Sequence, residues 1–87
     1  MISKKIVLEN ETGLHARPAS ELAKLCMKYK CNIELIANDK KINAKSVLAV
    51  MSAGIKAKTE IEIICDGEDE NEAMNAIEEG FNNKFGE

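Results

Sequence analysis

The apolar residues of this chain never run together for more than five positions, Val47 to Met51, and elsewhere they recur every second residue or at helical spacing. A membrane-spanning helix needs about 20 consecutive apolar residues, so none is expected. Repeated switching between the two periods predicts a small soluble fold of half-buried strands and amphipathic helices. For 87 residues, surface scaling gives roughly 5,100 Å² of folded surface against about 13,900 Å² unfolded, enough burial for one modest core without metal or disulfide. One domain over residues 1–87 is expected, with no repeat and no linker.

Twelve Lys and Arg against fifteen Asp and Glu give a net charge of −3. Lysines spread along an acidic chain argue against binding nucleic acid through its phosphates, and a protein or small-molecule partner is favoured. Met1-Ile2-Ser3-Lys4-Lys5 leads straight into a charged alternating segment with no apolar export region, so the cytoplasm is the expected location. Cys26, Cys31 and Cys65 form no C-x-x-C pair, and His15 is the single histidine. Structural thiols in a reducing compartment are expected, with no metal and no cofactor.

Ile2, Ile6 and Leu8 share one parity and predict a first strand over 2–8, with Val7 on the other face. Asn10-Glu11-Thr12-Gly13 predicts a loop. Ala19, Leu22, Ala23 and Cys26 mark one stripe of a helix over 16–29, while Lys24 and Lys28 face away. Ile33 and Leu35 alternate with polar residues, Asn38-Asp39 suits a tight turn, and Lys41–Asn43 completes a hairpin. Ser46 is placed to cap a short helix, Val47–Ser52, which Gly54 would end in the left-handed conformation. Ile61, Ile63 and Cys65 mark the last strand, and Asp66-Gly67 a turn. Asp69 with Glu72 has capping-box spacing before a final helix carrying Ala73, Ala76, Ile77 and Phe81. The order β-α-β-β-α-β-α predicts a two-layer α+β sandwich, its sheet antiparallel or mixed, one side wet and the other covered by helices.

The chemistry concentrates in Thr12-Gly13-Leu14-His15-Ala16-Arg17-Pro18, which crosses from loop to helix with no carboxylate in the first turn. A helix start carries unpaired N–H groups and partial positive charge, and Arg17 adds a full charge. With His15 at the N-cap, Pro18 contributes no N–H, so the donors of Ala16 and Arg17 remain. The result is an anion site beside an imidazole. If the neutral ring attacks a phosphoryl group, negative charge lands where two backbone donors and a guanidinium point. A histidine at a helix start is also commonly a simple cap, and spacing alone leaves that reading open. Without a P-loop, a nucleotide fingerprint or paired catalytic carboxylates, the chain would have to receive phosphate from another protein.

Gly13-Leu14-His15-Ala16-Arg17-Pro18-Ala19, and Lys45-Ser46-Val47-Leu48-Ala49-Val50-Met51-Ser52-Ala53-Gly54-Ile55, resemble the two signature segments of the HPr family. That family comprises the histidine-containing phosphocarriers of the bacterial phosphoenolpyruvate-dependent sugar phosphotransferase system. The resemblance spans the whole chain and is nearest to the low-GC Gram-positive type. It implies an open-faced sandwich, a four-stranded antiparallel sheet with three helices on one face. It implies a carrier rather than an enzyme, with His15 phosphorylated on Nδ1 by enzyme I, Arg17 as phosphate partner, and delivery to enzyme IIA domains of sugar permeases. It further implies that Ser46 is phosphorylated by an ATP-dependent HPr kinase/phosphorylase in carbon catabolite control. Leu14, Ser20, Lys24, Val47, Leu48 and Met51 would contact partners, the catabolite control protein among them. Val47, Leu48 and Met51 can equally be core residues of their short helix. Leu14 and Leu48 stand where many Gram-positive members have Ile and Met, and the Asn38-Asp39 turn lacks the usual Gly.

Contacts with several partners in turn should be small and transient, so a monomer is expected. Two other readings stay open: a regulatory paralogue that does not feed sugar uptake, and a protein-interaction module in which His15 is only a cap.

Overall fold

The computed structural model describes residues 1–86. The elements are β1 (Ile2–Val7), α1 (Ala16–Cys26), β2 (Asn32–Ala37), β3 (Lys40–Asn43), α2 (Val47–Ser52), β4 (Glu60–Asp66) and α3 (Glu70–Asn82), followed by a short turn over Lys84–Gly86. The strands form one sheet in the order β1-β4-β2-β3, and every neighbouring pair is antiparallel. This is the open-faced α+β sandwich expected from the sequence. Among the described residues no helix is long and apolar enough to cross a membrane.

Register follows polarity. Ile33 faces Cys65, Leu35 faces Ile63 and Ile42, and Ile6 faces Ile61. Ile33, Leu35, Ala37, Ile61, Ile63 and Cys65 are buried, while the residues between them on the other face remain at least partly open. A one-residue slip would turn this entire apolar set into water. Leu22, Ala23 and Cys26 of α1, Val50 of α2, and Ala73, Met74 and Ile77 of α3 complete the core. The accessible surface, 5136 Å², matches the scaling expectation.

The hairpin turn is resolved by its backbone. Asn38 and Asp39 both have positive φ, 52° and 64°, the pattern of a type I′ turn, which Asn and Asp enter more readily than most residues.

Several local expectations are corrected. Helix α1 ends at Cys26 rather than Tyr29, because the Lys28 and Tyr29 amides reach back only three residues, to Leu25 and Cys26. Strand β1 stops at Val7; Leu8 lies past its end, yet is buried and held by a hydrogen bond to Thr59. Asp69 is the N-cap residue of α3 but its side chain does not cap the helix. Its two oxygens instead accept from the Lys30 and Cys31 amides, at 2.8 and 2.9 Å. The capping box is therefore absent, and the carboxylate serves the chain entering β2.

Candidate functional site

His15 is delivered by a loop tied down at each step. The Leu8 carbonyl accepts from Lys58 at 2.8 Å, the Gly13 amide donates to the Asn10 carbonyl at 3.0 Å, and the Leu14 amide donates to Ile55 at 2.9 Å. Gly13 is required twice over: its φ is +75°, and a Cβ there would run into the Ile55 carbonyl oxygen.

The chain passes through His15 extended, with φ −81° and ψ −167°. Successive side chains of an extended segment point to opposite sides, so His15 is exposed while Leu14 is driven into the core at 3% exposure. Leu14, expected at the partner surface, is thus buried in the isolated chain.

His15 is the N-cap of α1 through its carbonyl, which accepts from Ala19 at 3.0 Å; its side chain makes no capping bond. Ala16 and Arg17 occupy the next two positions and are exposed, while Pro18 is buried at the third. The first turn holds no acidic residue. Helix geometry gives the Ala16 and Arg17 N–H groups no partner within α1, and no carboxylate of the first turn itself offsets the positive end of the helix. Arg17 also borders a groove of about 710 Å³ between α1 and α3, where Glu21, Lys24, Glu79 and Phe85 are among its neighbours. Chemically, the arrangement offers an exposed nucleophilic ring beside donors suited to an anion.

Ser46 caps α2 as expected: its Oγ accepts from the Ala49 amide at 3.1 Å, and Gly54 follows the helix with φ +62°. Lys45 of the same segment donates from Nζ to the Tyr29 carbonyl at 2.7 Å, fastening the approach to α2 onto the chain leaving α1. Helix α2 packs on α1. Leu48 is 75% and Met51 42% exposed, Val47 is half-buried, and Val50 is the residue of α2 committed to the core. On α1, Lys24 is exposed and Ser20 half-buried.

The cysteines are free and buried. Burial pushes the Cys26 and Cys65 thiols up to about 12, with neighbouring thiols adding to the shift, so neither is a poised nucleophile. Among the described residues no group of His, Cys, Asp or Glu is arranged to hold a metal.

Sequence reasoning missed Asn10. Read as a turn-former, it is 1% exposed and donates from Nδ2 to the Lys84 carbonyl at 3.0 Å. No local pattern announces a partner 74 residues away.

Residues 2–83 match the family model described as the PTS HPr component phosphorylation site. The chain is 48% identical over 73 residues to the phosphocarrier protein HPr of Mycoplasma capricolum, covering 84% of this chain and 82% of that one. Its fold is similar to the crystal structure of HPr-C-His from Thermoanaerobacter tengcongensis, with a TM-score of 0.94 and 37% identity over 100% of this chain and 98% of the other. The HPr dimer of the same organism is similar at a TM-score of 0.79 and 37% identity, with 100% of each chain covered.

Proposed function

Because this chain belongs to the HPr family, phosphocarriers of the phosphotransferase system rather than catalysts in the usual sense, we propose that His15 is its phosphoryl acceptor. Residues 1–87 act as one carrier domain in the cytoplasm. The observation that supports the reading best is the exposed imidazole at the start of a helix whose first turn carries Arg17 and no acid.

The donor is phospho-enzyme I, charged from phosphoenolpyruvate. With its proton on Nε2, the ring presents the Nδ1 lone pair to phosphorus. The N–P bond forms as the bond from phosphorus to the donor breaks. Phosphoryl transfer asks little of the protein beyond positioning and charge stabilisation. The Ala16 and Arg17 amides and the Arg17 guanidinium meet the equatorial oxygens. The second transfer, to an enzyme IIA domain, reverses these roles and regenerates His15. Pre-steady-state mixing of the phosphorylated chain with an enzyme IIA domain tests the relay. Loss of phosphate from the chain matched by gain on the IIA domain supports it, and hydrolysis without transfer contradicts it.

Ser46 is the regulatory site, modified by an ATP-dependent kinase. A phosphate at that N-cap suits the helix dipole and leaves α2 folded, while about two added negative charges oppose an acidic partner. Leu48 and Met51, with Val47, Ser20 and Lys24, form the docking surface for enzyme I, the kinase and the catabolite control protein. The working form is a monomer, since docking to successive partners requires this face uncovered. A concentration-independent mass of one chain in sedimentation equilibrium is the expected result, and a stable dimer at micromolar concentration would overturn it.

A further inference from the structure

The loop that carries His15 is gripped from one more direction, the C-terminal turn. Asn10 is the first residue of the turn closed by the Gly13-to-Asn10 hydrogen bond, and its buried amide donates to the Lys84 carbonyl. Lys84 and Phe85 both have left-handed backbones, with φ of 54° and 47°. Residues with a side chain hold that conformation in succession only when their surroundings enforce it.

Two contacts do so here. The Phe85 ring is buried and meets Phe81 edge-on, with centroids 4.8 Å apart and planes at 80°. It lies over Gly80, where any Cβ would collide with the ring. The Asn10 amide holds the Lys84 carbonyl from the other side. Phe85 also lines the groove that Arg17 borders. The C-terminal turn thus meets the chain on both sides of His15 in sequence, by the hydrogen bond from Asn10 before it and by packing on α1 after it.

We propose that Asn10 is a positioning residue for phosphoryl transfer, locking the loop before His15 to the C-terminal turn so that the imidazole is held in register with the first turn of α1. This rests on His15 being the acceptor. A part-buried hydrogen bond between segments this far apart in sequence contributes only while both are docked. Its loss lets residues 10–14 open locally without unfolding the sheet.

The test uses the full chain with Asn10→Ala, Phe85→Leu and the double variant. Amide hydrogen exchange at Gly13 and Leu14, compared with Leu35 and Ile63 in the sheet, reads the loop independently of any phosphoryl transfer. Asn10→Ala should speed loop exchange about tenfold more than core exchange. Phe85→Leu should act in the same direction, and the double variant should add less than the two singly, because both release one clamp. Under phospho-enzyme I, Asn10→Ala should lower kcat about tenfold with KM for the carrier unchanged, since alignment is lost and docking is not. Loop exchange that merely follows the core, or an unaltered kcat, would overturn the proposal. If the wild type takes up no phosphate, the reading of His15 falls and the catalytic role of Asn10 with it, while the exchange result still decides whether Asn10 holds the loop.

Discussion

The Leu14 amide donates to the Ile55 carbonyl across 2.9 Å. The residue before His15 is thereby fixed to the chain that leaves α2, and the two signature segments meet through their main chains. Gly13 makes this approach possible. Gly13→Ala combines a positive φ with a backbone collision, and should destabilise the protein by about 2 kcal/mol or more. Urea denaturation measures it; an unchanged midpoint would show that the loop can be rebuilt without the close approach.

Ser46 allows its capping role to be tested apart from the proposed regulatory one. Ser46→Ala removes the oxygen that accepts from Ala49 and should lower stability by about 1 kcal/mol. Ser46→Asp keeps a capping oxygen, so it should retain stability yet slow phosphorylation of His15 by enzyme I through charge. Denaturation and initial-rate measurements on both variants distinguish the effects, and an unaltered rate for Ser46→Asp would remove the electrostatic switch.

The hairpin turn carries a left-handed Asp39 with φ 64°. Asp39→Gly relieves that conformation and should raise stability by about 0.5 kcal/mol, seen as an increase of a few degrees in Tm. A fall in Tm would mean that the Asp39 side chain contributes more than its backbone costs.

Asp69 gives stability an acid dependence. Its hydrogen bonds from the backbone of Lys30 and then Cys31 hold its carboxyl below the ordinary value of 3.8. The unfolded chain therefore takes up this proton first. The contribution is complete above pH 3.8 and is lost as pH falls through the lower folded value. Asp69→Asn should flatten the acid side of a stability–pH curve, and an equally steep curve would assign the dependence to other groups.

Much of the fold was legible because polarity and register agree. Alternation in β2 and β4 marked the buried face, though not that these two strands pair, and Ser46 with Gly54 bracketed α2 correctly. The errors lie where distant segments compete with local rules. Asp69 has the spacing of a cap, but the amides of Lys30 and Cys31 claim its carboxylate. Asn10 does begin the expected turn, but the further use of its amide by the C-terminal turn has no local signal. At the proposed site, the sequence placed His15 at the N-cap and Arg17 in an acid-free first turn, as the structure has them. The inward setting of Leu14 needed the extended backbone of His15.

The central claim is that His15 carries the phosphoryl group. Intact mass after incubation with enzyme I, Mg²⁺ and phosphoenolpyruvate tests it most directly, comparing wild type with His15→Ala and Ser46→Ala. The account predicts one acid-labile phosphate on the wild type and on Ser46→Ala, and none on His15→Ala. An unmodified wild type, with an enzyme I shown to be active on another carrier, or a phosphate retained by His15→Ala, would contradict it.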